Sequence, residues 1–188
     1  MTEWEKIQWN QIAWRKRNDG IDFYQTPERC VEKLLEKIQF LWNILEPCSW
    51  AGAISKILEK KWYSIISQDI RTDDWVYWTK WINFLECNCV FDNIVTNPPY
   101  FIAKEIVQKS LDISKDKVCM FLKLSFLESI DRYKFFKDTP LKYVFVFSKR
   151  PQLYPEWIEK PKNWWTIAYA RYIREKWYEW SPMIDWIR

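Results

Sequence analysis

The sequence predicts an α/β fold: a Rossmann-like, doubly wound, mostly parallel seven-stranded sheet with an antiparallel C-terminal strand. Three observations predict it. Short apolar runs alternate with helix-period segments along most of the chain. The first alternation reads strand, loop, helix, strand, acid, which is the order of a βαβ unit. The last two β-type runs, KYVFVFS and TIAYARYI, follow one another with only loop-like sequence between them.

Residues 1–20 are polar and basic and read as an arm, and residues 21–188 read as one domain. Thr26-Pro27-Glu28 opens a helix, with Thr26 as N-cap and Pro27 in the first turn, and Val31, Leu34, Leu35 and Ile38 give it an apolar face. Residues 43–47 (NILEP) form a short buried strand, 51–61 (AGAISKILEKK) a helix, and 63–70 (YSIISQDI) a second strand ending in an acid. A third strand is expected at 82–85 (INFL) and a fourth at 91–96 (FDNIVT), followed by a helix over 102–113. Residues 118–126 (VCMFLKLSF) are apolar enough for a central parallel strand. A short helix over 132–137 precedes the two final strands, 142–148 and 166–173.

Composition narrows the chemistry. Hydrophobic residues make up 48 % and charged residues 29 %, an ordinary globular balance. No apolar run approaches the roughly 20 residues that span a bilayer, and the N-terminus lacks the apolar centre of a signal peptide, so a cytoplasmic, membrane-free protein is expected. The five cysteines lack a zinc-site spacing and read as free thiols, with no metal expected. Histidine is absent, which removes His-dependent triads and leaves chemistry that needs no imidazole base. The net charge of +4 is concentrated in residues 142–188, with a second basic cluster at Arg15, Lys16 and Arg17. Two basic ends suit a phosphate backbone, and equally a solvated surface.

The sharpest local signal is Asn97-Pro98-Pro99-Tyr100, directly after FDNIVT. Consecutive prolines stiffen the chain and lack donors, leaving the Pro98 carbonyl available as an acceptor. Asn97 adds a side-chain carbonyl at the carboxyl edge of the sheet, where open α/β folds bind ligands, and Tyr100 adds an aromatic face. Two acceptors and a ring suit a planar amine such as adenine N6, whose lone pair localises on nitrogen when its hydrogens are bound.

Together with the βαβ unit, this motif resembles the S-adenosylmethionine-dependent amino-methyltransferases, especially small phage-type N6-adenine DNA methyltransferases, over nearly the whole chain. The resemblance implies S-adenosyl-L-methionine as cofactor and Asn97, Pro98, Pro99 and Tyr100 as the catalytic loop. It implies that Tyr24, Thr26 and Pro27 line the methionine end, with Glu46, Cys48, Ser49, Gly52 and Ala53 forming the first cofactor loop. Asp69, followed by Ile70, takes the ribose hydroxyls, and Asn83-Phe84 faces the cofactor's adenine, where the family usually has Asp-Phe. The cofactor motif precedes the Asn-Pro-Pro-Tyr motif, a γ-like order in which a target-recognition domain should follow, yet only about ninety residues remain here and the sheet is expected to use many of them. Contacts to DNA would therefore come from loops: Phe101, Arg150 with the loop 150–165, and the Arg15-Lys16-Arg17 arm. RNA adenine or guanine, or a protein glutamine amide, offers the same planar chemistry, and a decayed nucleic-acid-binding domain is the non-catalytic alternative.

One anomaly remains. The chain has two glycines and fifteen tryptophans, where ordinary glycine usage of ~7 % would give about thirteen glycines. Trp42, Trp50, Trp62, Trp75, Trp78, Trp81, Trp164, Trp165, Trp177 and Trp180 fall where turns want glycine, and substituting it restores ordinary turn chemistry. Only Trp186, in IDWIR, reads as a core tryptophan. A gene in which UGA means glycine, translated with UGA as tryptophan, would look like this. UGA is then expected at the turn codons and UGG at Trp186.

Overall fold

The computed structural model describes residues 24–153 and 167–188. Helix α1 (Glu28–Leu35) leads into strand β1 (Ile44–Glu46), helix α2 (Ser55–Lys60) and strand β2 (Ile65–Ser67). Strand β3 (Phe91–Thr96), helix α3 (Ala103–Ile113) and strand β4 (Ser114–Lys123) follow. Helix α4 (Ile130–Asp138) and strands β5 (Leu141–Phe147), β6 (Tyr169–Glu175) and β7 (Met183–Ile187) complete the order. The strands form one seven-stranded sheet in the order β2-β1-β3-β4-β6-β5-β7.

The expected α/β class holds, with two differences in detail. The antiparallel strand is β6, inserted between β4 and β5, and a further edge strand, β7, runs parallel to β5. INFL is not a strand: the Asn83 side chain accepts a bond from the Leu85 N–H and caps a 3-10 turn over Phe84–Glu86. The third-strand position shrinks to a single bridge between Gln68 and Thr79. At α1 the first-turn bond from the Cys30 N–H is accepted by the Pro27 carbonyl, so Pro27 holds the cap position and Thr26 does not cap.

Alternation along the strands divides the core. Ile44, Val95, Cys119 and Phe121 pack with Val31 and Leu34 of α1 and Leu58 of α2 on one face. Leu45, Ile94, Val118, Met120 and Leu122 pack with Ile106 and Val107 of α3 and Phe135 of α4 on the other. Successive strand residues point to opposite faces, so each strand serves both layers. Among the described residues no helix is long and apolar enough to cross a membrane.

Candidate active site at the carboxyl edge of the sheet

Strands β1, β2, β3 and β4 are mutually parallel, so their carboxyl ends share one edge. Loops leaving that edge enclose a cleft of about 1170 Å³, counting the space open to solvent.

One wall comes from β1 and β2. Glu46 is buried, and its Oε2 accepts bonds from the backbone N–H (2.8 Å) and hydroxyl of Ser55 at the start of α2. Burial pushes its pKa up to about 8, against the pull of the Ser55 bonds. Asp69 lies just past β2 and is also buried. Its Oδ2 accepts from the Trp50 N–H and its Oδ1 from the Arg71 N–H, each at 2.9 Å. Burial raises its pKa more than those bonds lower it. Each carboxylate oxygen keeps a second acceptor position, so the pair fits two vicinal hydroxyls. Burial also raises the Cys48 thiol well above its usual range, which leaves it neutral.

The opposite wall is the loop after β3. The Asn97 Nδ2 donates to the Tyr24 carbonyl at 3.1 Å, which orients the amide. Its Oδ1 is buried and has no hydrogen-bond partner. Pro98 and Pro99 line the cleft, and Tyr100 opens a 3-10 turn over Tyr100–Ile102. The Tyr100 ring lies 6.2 Å from that of Tyr169, and the Lys123 Nζ, at the end of β4, sits 4.7 Å from the Tyr100 ring centroid.

The cleft gathers most of the residues singled out from the sequence. Tyr24, Thr26, Glu46, Cys48, Ser49, Ala53, Asp69, Ile70, Asn83 and Phe84 line it together with Asn97, Pro98, Pro99, Tyr100 and Phe101. Two expected cofactor residues lie elsewhere. Pro27 faces an adjoining groove with Glu28 and Lys56. Gly52, with φ of 73°, is packed against Tyr77, where an added Cβ would stand 2.5 Å from ring atoms. Its missing Cβ is what lets that ring pack there. Asn83 spends its amide on the turn it caps, donating to Glu86 Oε1 at 2.8 Å while accepting from Leu85. Arg150 is exposed beyond β5 at the same sheet edge and is not part of the cleft wall. Arg15, Lys16 and Arg17 lie outside the described residues.

Sequence reasoning missed Arg71, which lines the cleft, pairs with Asp73 at 2.6 Å and holds its Cζ 5.9 Å from the Trp50 ring centroid. Its place two residues after Asp69, inside the same turn, was the available signal.

The backbone gives the tryptophans a physical reading. Among the described residues, seven non-glycine positions have positive φ, and five are Trp50, Trp62, Trp78, Trp81 and Trp177. This left-handed region favours glycine because a Cβ crowds the following carbonyl. Trp62 sits at the end of α2, where the Trp62 N–H donates to the Glu59 carbonyl and the Tyr63 N–H to the Leu58 carbonyl. That pair of bonds is the Schellman closure, with glycine's conformation at its centre. Trp42, Trp75 and Trp180 are exposed but lack the positive φ, and Trp164 and Trp165 lie outside the described residues. The expectation for Trp186 fails: it is 63 % exposed on edge strand β7, whose outer side faces solvent.

No protein-family model and no curated protein sequence matches this chain. Solved structures do match in fold. One is the modification subunit assigned to a type I restriction enzyme of Vibrio vulnificus YJ016, with a TM-score of 0.56 and 13 % identity over 97 % of this chain. This chain spans only 51 % of that subunit. A protein of Pyrococcus horikoshii assigned as an RNA methyltransferase matches with a TM-score of 0.55 and 12 % identity, over 82 % of this chain and 88 % of its own. Magnesium protoporphyrin IX methyltransferase of Synechocystis PCC 6803, solved with bound SAM, matches at 0.51 and 7 %, over 78 % and 79 %. The class these likenesses define is one of architecture: the chain has a Rossmann-like α/β fold shared with these proteins.

Proposed function

We propose that the protein transfers the methyl group of S-adenosylmethionine to adenine N6 in DNA. The observation that carries this reading is the buried, unpartnered Oδ1 of Asn97, held in place by the bond from its own Nδ2 to Tyr24. An acceptor buried without a donor is costly unless a ligand supplies one. An exocyclic amine does so.

Asp69 would hold the ribose hydroxyls of the cofactor, Glu46 and Ser49 would face its methionine end, and Phe84 would pack on its adenine. The cofactor supplies a methyl carbon activated by a sulfonium. On the other side, Asn97 Oδ1 and the Pro98 carbonyl would accept the two amine hydrogens, localising the nitrogen lone pair toward that carbon. Tyr100 would stack on a base turned out of the duplex. The nitrogen–carbon bond forms as the carbon–sulfur bond breaks, and the surplus amine proton passes to solvent. Positioning and electrostatics supply most of the acceleration, so the absence of histidine costs nothing.

Lys123 supports a nucleic-acid target over a protein amide. Its ammonium lies 4.7 Å from the centroid of the ring on which the base would stack, and a cation there would suit a flanking phosphate. Phe101, Arg150 and the Arg15-Lys16-Arg17 arm would hold the strand on either side.

The test offers methyl-labelled cofactor to the chain with DNA, RNA and a release-factor protein in parallel. Label at adenine N6 of DNA is expected. Uptake confined to RNA or to glutamine overturns the target.

A further inference from the structure

Strand β6 lies between β4 and β5, inside the sheet. Two of its residues, Arg171 and Arg174, are completely buried, on opposite faces. Among the described residues the Nε, Nη1 and Nη2 atoms of both lack an oxygen or nitrogen hydrogen-bond partner, and the Arg171 guanidinium has only the Cys119 thiol to bond. Among the described residues no carboxylate forms an ion pair with either, although the buried Glu46 carboxyl feels the Arg171 charge. Beside Arg171 stand the Cys30 and Cys119 thiols, each pushed up to about 11 by burial and therefore neutral. Burial pulls Arg174 itself down to about 9.

What surrounds them is aromatic. The Arg171 Cζ lies 4.9 Å from the centroid of Phe121, whose ring stacks on Tyr169 at 5.2 Å. The Arg174 Cζ lies 5.3 Å from Phe135 and 5.8 Å from Phe136, in a cluster joined by Phe126 and Tyr172. The Arg174 guanidinium is a flat plate between two rings, and that of Arg171 lies over one. Breaking a buried ion pair strands a charge at severe cost, and here two charges are stranded from the outset. A marginally stable domain does not carry that burden twice in one strand.

The tryptophans show the opposite fault. Of the nine described, none is buried, and eight are 63–92 % exposed. Large aromatic planes lie in water, and charged planes lie in the core.

We propose that positions 171 and 174 are tryptophan in the protein its own cell makes, encoded by CGG or CGA codons read by a tryptophan tRNA. Aromatic surroundings favour an indole, which needs no counter-ion. CGG differs from the tryptophan codon UGG only in its first base, so one anticodon change makes the switch. The same single-base logic links UGA to the glycine codon GGA, and the two reassignments together account for the exposed tryptophans and the buried arginines. The inference does not depend on which substrate the enzyme uses.

Mass spectrometry of the native protein tests it directly. A peptide covering residues 169–176 is expected to show tryptophan at both positions and to resist tryptic cleavage there; arginine masses overturn the proposal. The gene is expected to carry CGG or CGA at both codons, and AGA or AGG at either one overturns it. A third measurement uses the full-length chain with the turn tryptophans set to glycine. There R171W/R174W is expected to raise the unfolding temperature by more than R171M/R174M does. A methionine pair that stabilises while the tryptophan pair destabilises would rule out the indole.

Discussion

Across the cleft, the loop 97–100 and the loop 48–54 face the same ligand space with different backbone demands. The first is stiffened by two prolines, contains no positive-φ residue, and leaves Asn97 Oδ1 buried and open. The second turns sharply between β1 and α2, and does so through left-handed positions at Trp50 and Gly52. Only one of those two carries the residue its backbone wants. The comparison teaches that a site's side-chain chemistry and its backbone chemistry fail independently. The acceptor loop is complete in the chain as written. The loop 48–54, which we propose holds the cofactor, lies beside the buried acids Glu46 and Asp69 but bears an indole at a left-handed position.

The largest effect belongs to the acceptor loop. Asn97→Ala should abolish methyl transfer, a loss of at least about 10³-fold, while cofactor affinity stays within a few-fold. Rapid-quench measurement of methyl transfer, beside calorimetric titration of the cofactor, checks both halves of that statement. Comparable turnover in the variant would break the division of labour.

Next comes the cofactor wall. Asp69→Ala removes the acceptor for two hydroxyls, about 1.5–3 kcal/mol if both bonds involve the charge, so cofactor affinity should fall roughly 10- to 150-fold. Unchanged affinity would move the site away from β2. A smaller loss is expected for Tyr100→Ala, about 1–3 kcal/mol of stacking read in nucleic-acid binding by fluorescence anisotropy, with Tyr100→Phe retaining most activity.

The last prediction concerns Glu46 and is read in stability alone, not in activity. Its folded-state pKa, about 8, is raised above the ordinary 4.5. The folded protein therefore binds more protons than the unfolded chain between those values, and the group's contribution to stability declines as pH rises from about 4.5 to 8. Glu46→Gln should flatten that part of the unfolding-temperature profile between pH 5 and 8. A profile of the same slope would show that Glu46 is charged in the folded protein.

How much of this was legible in the sequence differs between the two loops for physical reasons. Asn97-Pro98-Pro99-Tyr100 acts through side chains and proline rings, which the letters state outright, and the βαβ unit announces itself through strand and helix periods. The loop 71–81 was opaque. Its turns depend on positive φ at Trp78 and Trp81, and a tryptophan letter does not signal a left-handed turn. INFL looked like a strand because its apolar letters fit one, yet Asn83 captured the Leu85 N–H and wound a 3-10 turn instead. The letters around Gly52 do not show that Tyr77 packs against it, because only the folded chain brings that ring there. Nothing in the string YARYIRE shows that both arginines point into the core, since β6 reaches its place between β4 and β5 only through the sheet order.

The contrast between the two loops is tested most directly by titrating S-adenosylmethionine, by calorimetry, into two forms of the full-length chain. One is the chain as written; the other carries glycine at Trp42, Trp50, Trp62, Trp75, Trp78, Trp81, Trp164, Trp165, Trp177 and Trp180. Strained left-handed residues cost about 1–3 kcal/mol each, and an indole at Trp50 stands in the cleft wall besides. The account predicts one-to-one binding by the glycine chain, partial recovery with Trp50→Gly alone, and no measurable binding by the chain as written. Equal binding by the two forms would contradict it.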